Sequence, residues 1–178
     1  MAQVYVFKSA FKHRKTLWRR IEIRDDQTLG DLDSIMRDAF KHDDSDHLSE
    51  FYPDQSCRNG FGEIDPDGGG SGADIKLRKI GVCEGTKLGY VYDFGDYIEH
   101  ILAFEGVKNV EENVKYPRIT DKSKTKNHYC DSCKEKGKKS VATYVCVDCS
   151  DDAEKTVYVC EECAEKEHED HQIEDILF

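Results

Sequence analysis

The sequence predicts an α+β fold followed by a second, smaller domain organised by metal ligands. Two observations carry this. Over the first 120 of the 178 residues, short β-type runs are interrupted by one amphipathic helical stripe. Beyond them, six of the eight cysteines crowd into 130–163 as three Cys-x-x-Cys pairs, and two histidines follow. The domains are read as 1–120 and 128–178. The run 121–127, with three lysines and no apolar residue, is read as the linker.

The elements follow in order. Val4–Phe7 is rich in β-type residues and reads as a strand. A second strand is Leu17–Ile23, with Leu17, Ile21 and Ile23 on one face and Trp18 as a core anchor beside Arg19 and Arg20. Thr28 is a good N-cap, with Asp31 three residues on. Leu29, Leu32, Ile35, Met36, Ala39 and Phe40 then share one helical stripe. His47–Tyr52 reads as a short strand, and the glycine-rich stretch 54–74 as a flexible surface loop. Leu88–Phe94 and Tyr97–Phe104 form a hairpin with a tight turn at Gly95–Asp96. One main helix across a mixed sheet gives a β-grasp-like arrangement.

Charge narrows the function classes. The chain carries 26 Lys and Arg against 37 Asp and Glu, a net −11. Residues 128–178 hold six Lys and no Arg against 14 acidic residues, a net −8. A nucleic-acid finger would show a basic face instead. His13, Arg14, Lys15, Arg19 and Arg20 cluster in the sequence but read as a solvated strand edge. No run approaches the roughly 18 apolar residues of a membrane span, and Met1–Ala10 lacks the pattern of a secretory signal. A cytoplasmic protein is expected, in which Cys57 and Cys83 are free thiols.

The metal reading rests on spacing. The donors run Cys130-x2-Cys133, Cys146-x2-Cys149, Cys160-x2-Cys163 and His168-x2-His171. A spacing of two lets both thiolates of a pair reach one ion from a single turn. Tetrahedral Zn²⁺ takes four donors, so eight fill two sites and leave no position open for water. The ions are therefore expected to be structural. The pairs can be joined consecutively or interleaved, His128 can stand in for a downstream histidine, and a redox dithiol or a single ion are the competing readings. The stretch Val159–Cys163 is expected to lead from a strand into a helix, with His168 and His171 on its face or in its closing turn. Few apolar residues lie here, so metal binding should supply on the order of 10 kcal/mol of folding free energy.

Tyr158-Val-Cys-Glu-Glu-Cys-Ala-Glu-Lys-Glu-His-Glu-Asp-His171 resembles the closing segment of the cross-brace zinc modules of the ZZ and B-box types, a resemblance covering Cys130–His171. It implies interleaved ligation. Cys130, Cys133, Cys160 and Cys163 would hold the first zinc, and Cys146, Cys149, His168 and His171 the second. It also implies a surface that binds proteins or peptides. The middle loops depart from both patterns.

In the first domain, Leu17–Ile21, Thr28–Leu32, His47–Phe51 and Tyr90–His100 together look like the Ri-plasmid open-reading-frame-three family, over about residues 3–120. The resemblance implies a compact α+β domain and a weak association with mobile elements, without an assigned activity. Tyr97 stands where that family usually has Trp, a Trp usual near His42 is missing, and the family's usual Pro-Pro-Glu-Asp-type tail after Tyr116-Pro117 is replaced by the cysteine-rich segment.

His47, Asp93, Asp96 and His100 are candidates for an acid–base or metal site at the hairpin mouth. The competing reading has both aspartates setting the turn and His100 buried in register with Ile98, Leu102 and Phe104. Asp93-Phe-Gly95 lacks the other kinase motifs, and Gly68–Gly70 lacks the Lys-Ser/Thr of a phosphate loop. The function expected is a protein–protein adaptor with two structural zincs and a basic partner. The alternatives are an enzyme at the His/Asp cluster or mobile-element-associated nucleic-acid binding.

Overall fold

The structure is a computed structural model that describes residues 2–42, 46–124 and 126–176. It divides into two compact units, Met1–Ser123 and Lys124–Phe178. In the first, β1 (Gln3–Phe11), β2 (Trp18–Arg24), α1 (Leu29–Phe40), β3 (Ser49–Tyr52), β4 (Glu63–Ile64), β5 (Lys87–Tyr92), β6 (Ile98–Asn109) and β7 (Arg118–Lys122) follow one another. The strands form one seven-stranded sheet in the order β4-β3-β5-β6-β1-β2-β7. Every pairing in it is antiparallel. The α+β class holds, but the sheet is not mixed. A β-grasp needs a parallel pair at its centre, and β1 runs antiparallel to both of its neighbours.

The helix forms where its cap dictates. The Asp31 amide donates to the Thr28 hydroxyl at 3.2 Å, and the Thr28 amide donates to the Asp31 carboxylate at 2.8 Å. This reciprocal pair satisfies two otherwise orphaned donors. The Leu29 and Gly30 amides donate to the carbonyls of Ile75 and Ala73 at 2.9 and 3.0 Å, so the long loop completes the helix start. Leu29, Leu32, Met36, Ala39 and Phe40 are buried. They meet a core that includes Phe7, Ile21, Ile23, Phe51, Leu88, Tyr90 and Leu102. Lys41, at φ 51°, ends the helix in the left-handed conformation.

Five local expectations are corrected. Leu17, Arg19, Ile21 and Ile23 are buried, so Trp18 points to the opposite face. It is no core anchor; Lys8 Nζ lies 4.5 Å and the Arg20 guanidinium 5.3 Å from its ring. The basic cluster near it is also dispersed, for Arg19 Nε donates to the Ala39 carbonyl at 3.1 Å and Arg20 pairs with Glu105 and Asp121. The 54–74 stretch is hydrogen-bonded to itself, with Gly72 N–H on Glu63 O at 3.0 Å and Asp65 N–H on Gly69 O at 2.9 Å. The β5–β6 connection is the five-residue loop 93–97, with Asp93 and Tyr97 both at φ 54°. Asp121 and Lys122, read as linker, belong to β7.

In the second unit, α2 (Asp131–Glu135), β8 (Tyr144–Cys146), α3 (Val147–Ala153), β9 (Val157–Val159), α4 (Glu161–Glu167) and β10 (Ile173–Asp175) surround a three-stranded antiparallel sheet ordered β10-β8-β9. Its buried cluster is Cys130, Cys133, Cys146, Val159, Cys160 and Cys163. Five of these six are thiols, so the interior is built mainly from potential ligands.

Candidate metal centre

Each Cys-x-x-Cys pair uses the same local device. Cys130, Cys146 and Cys160 are the N-caps of α2, α3 and α4, and Cys133, Cys149 and Cys163 lie in the first turns of those helices. The turn from extended to helical backbone aims both sulfurs the same way. His168 is the C-cap of α4. The His171 amide donates to the His168 carbonyl at 3.0 Å, so both imidazoles sit in the turn closing the helix.

The chain brings these donors together as two groups, Cys130–Cys133–Cys160–Cys163 and Cys146–Cys149–His168–His171. Within each, the ligand atoms lie within 4.8 Å of one another. The pairing is interleaved: first with third, second with fourth. In the all-cysteine group, Cys133 Sγ is 3.8 Å from Cys160 Sγ and 3.6 Å from Cys163 Sγ. A disulfide would need about 2.05 Å. Four sulfurs about 2.3 Å from a tetrahedral zinc would stand about 3.8 Å apart, so the spacing fits an ion and not a bridge. In the second group, the Cys149 Sγ lies 3.3 Å from His171 Nδ1 and 3.4 Å from His168 Nδ1, and the two Nδ1 atoms are 3.2 Å apart. Mixed edges around zinc come to about 3.4–3.6 Å. Both histidines therefore present Nδ1, and two metal ions can be held.

The surroundings agree with that chemistry. Burial, then the adjacent Cys146 thiol, pushes the Cys149 thiol up to about 11. Burial and its sulfur neighbours push Cys163 up as well. A divalent cation offsets this cost by stabilising the thiolates. Ser132 Oγ lies 3.2 Å from His168 Nε2, the ring nitrogen turned away from the group. Such outer hydrogen bonds fix the tautomer and orientation of a ligating ring. All four members of the first group are buried, whereas Cys149 is half-buried and His171 exposed in the second. His128 belongs to neither group; it stacks on Tyr158 at 4.0 Å.

The four candidates in the first unit are placed differently. His47 Nδ1 is 3.4 Å from Asp93 Oδ2. Asp93 Oδ1 also accepts from the Gly95 amide at 2.8 Å, so this carboxylate shapes the loop. Asp96 is exposed. His100 is buried on β6 alongside Leu102 and Phe104, and its Nε2 is 2.9 Å from His42 Nε2. Among the described residues no hydrogen bond joins His100 to His47, Asp93 or Asp96. Sequence reasoning missed His42, whose place before a stretch of aspartates gave no periodic signal. It also missed the buried group in which Asp33 receives Arg37 Nε at 2.7 Å, the Ser49 hydroxyl at 2.5 Å and the Tyr90 hydroxyl at 2.7 Å. The i,i+4 spacing of Asp33 and Arg37 was the available clue.

Fold and site together define an α+β protein carrying two groups of cysteine and histidine donors whose geometry could hold metal ions. Residues 3–145 match the family described as Plasmid pRiA4b ORF-3-like protein, and the chain belongs to that family. The match runs beyond the 3–120 read from the motifs and takes in only the Cys130–Cys133 donor pair. A solved structure, a protein of unknown function, MM3350, from Methanosarcina mazei Go1, is 26% identical with a TM-score of 0.55, covering 68% of this chain and 70% of that one. No curated protein matches. Among the described residues no helix is long and apolar enough to cross a membrane.

Proposed function

We propose that the second unit is a cross-brace zinc module of the ZZ or B-box kind, that both ions are structural, and that the chain serves as a protein-binding adaptor in the cytoplasm. The observation that carries this is the closed donor set: two groups of four, the first wholly buried and the second partly so, which four-coordinate zinc would fill with no position left for a substrate or water. A reducing compartment would keep the thiols available as ligands. Asp148, Asp151 and Asp152 on α3 and Glu161, Glu162 and Glu165 on α4 are exposed and acidic, which favours a basic protein or peptide segment at the helical face. The same charge disfavours nucleic acid. The enzyme reading retains only the His47–Asp93 contact in its support.

Elemental analysis of the purified chain tests the reading, with two zincs per molecule expected. Binding of a Lys/Arg-rich peptide to that material should weaken as salt rises. One zinc per chain would break the two-site account. A two-zinc protein indifferent to the basic peptide would remove the partner assignment.

A further inference from the structure

The charge of the second unit is unevenly spread. Four of the six lysines of residues 128–178 fall within Lys134–Lys139, on α2 and the loop after it. Lys136 is paired with Glu167. Lys134, Lys138 and Lys139 make no ion pair among the described residues, although 14 acidic side chains belong to the same segment. These three line a cavity of about 610 Å³ together with His128, Tyr129 and Asp131.

The cavity has fixed walls. Asp131 Oδ2 accepts from the Tyr158 amide at 2.9 Å, which engages the one carboxylate present. The His128 ring stacks on Tyr158 with an interplanar angle of 14°. Lys139 Nζ sits 4.5 Å from the centre of the Tyr129 ring. The Cys130 amide donates to the Ser140 carbonyl and the Ala142 amide to the His128 carbonyl, both at 2.9 Å, clamping the base of the lysine-bearing loop. Tyr129 and Val141, opposed across a β-bridge on the same loop, are 42% and 51% exposed. Three cations against one engaged carboxylate therefore face a concavity beside two uncovered apolar side chains.

We propose that this cavity is a docking site for a short acidic peptide segment of a partner protein. Its carboxylates would meet Lys134, Lys138 and Lys139, and an apolar side chain would cover Tyr129 and Val141. The volume suits a few residues of extended chain and is too small for a folded surface. A nucleic acid matches the lysines as well, but a long polyanion would continue across the exposed acids of α3 and α4, whereas a short segment ends within the cavity. The site uses other residues than the acidic helical face proposed above for a basic segment. It rests on the same premise, that the unit folds around two ions.

The test uses the full chain loaded with zinc, its metal content measured in every sample. Binding of a labelled Asp/Glu-rich peptide carrying one Phe is compared with its Asn/Gln counterpart, a Lys-rich peptide and an oligothymidylate. The acidic peptide is expected to bind in a salt-dependent way. The double variant Lys138→Glu, Lys139→Glu should weaken it about tenfold or more while retaining two zincs and the Lys-rich peptide. Tyr129→Ala, which leaves the charge unchanged, should weaken it less. A two-zinc protein that binds the acidic peptide no better than the neutral one overturns this proposal alone. Unchanged affinity in the charge-reversed variant, or tighter oligothymidylate binding at the same lysines, overturns it too. A chain without two zincs overturns the module reading, and this proposal with it.

Discussion

His168 shows how one side chain can tie the two donor groups together. Its Nδ1 faces Cys149 and His171, and its Nε2 lies 3.2 Å from Ser132, inside the Cys130-x-x-Cys133 turn of the other group. With Nδ1 on an ion, the proton sits on Nε2 and donates to the hydroxyl. Ser132→Ala should therefore weaken the second ion about tenfold and leave the first unchanged, as read by competition with a chromophoric chelator. Equal loss of both ions would show a general folding defect instead. His42 and His100 make a different kind of pair. Burial, then the charge of Arg37, lowers His42 to about 4, and burial, then His42, lowers His100 well below its ordinary value. Both are neutral in the folded protein at pH 7. Because their folded values lie beneath the ordinary 6.5, the stability they contribute is complete above that pH. It is lost as pH falls towards 4, at up to about 1.4 kcal/mol per pH unit for each. Trp18, the single tryptophan, reports this unit by fluorescence. Its urea midpoint should drop from pH 7 to pH 4.5, and less so in His42→Asn; identical slopes would exclude the pair as the cause.

Among the elements, the loop between β3 and β5 changes most between sequence and structure. Glycine enrichment reads as flexibility, but here it reflects close approach of backbone to backbone. A Cβ on Gly70, at φ +98°, would stand 2.3 Å from the Glu63 carbonyl oxygen. Gly70→Ala should lower stability by more than the about 1–2 kcal/mol of a left-handed backbone alone. Gly81→Ala, at φ +73° with open space around it, should cost only that strain. Denaturant unfolding followed by Trp18 separates the two; equal losses would mean the Glu63 contact relaxes freely. The capping box at Thr28 was legible because its partners are three residues apart. Arg19 was not, because a charged residue at a buried strand position is recognised only once Ala39 brings a carbonyl to it. Period two alone had placed Trp18 on the face opposite Ile21, and its bulk argued misleadingly for the core.

For the whole molecule, the two units differ in what holds them. The first has Phe7, Phe40, Phe51 and Tyr90 in its interior, while the second has thiols and Val159. A strong chelator should unfold the second unit and leave Trp18 fluorescence and its urea midpoint nearly unchanged. The ion of the Cys146–Cys149–His168–His171 group should leave first, since His171 is exposed and Cys149 half-buried. Simultaneous loss of both ions, or collapse of the first unit with them, would contradict this. The sequence by itself determined the number and type of donors, the place where the helix begins and the α+β class, because each is written in residues a few positions apart. The tertiary structure alone decided which donor pairs come together, that every pairing of the large sheet is antiparallel, and that His100 meets His42 rather than Asp93. Those outcomes depend on contacts between residues tens of positions apart, and local spacing is equally compatible with several of them until strands β8, β9 and β10 align and fix which turns face one another.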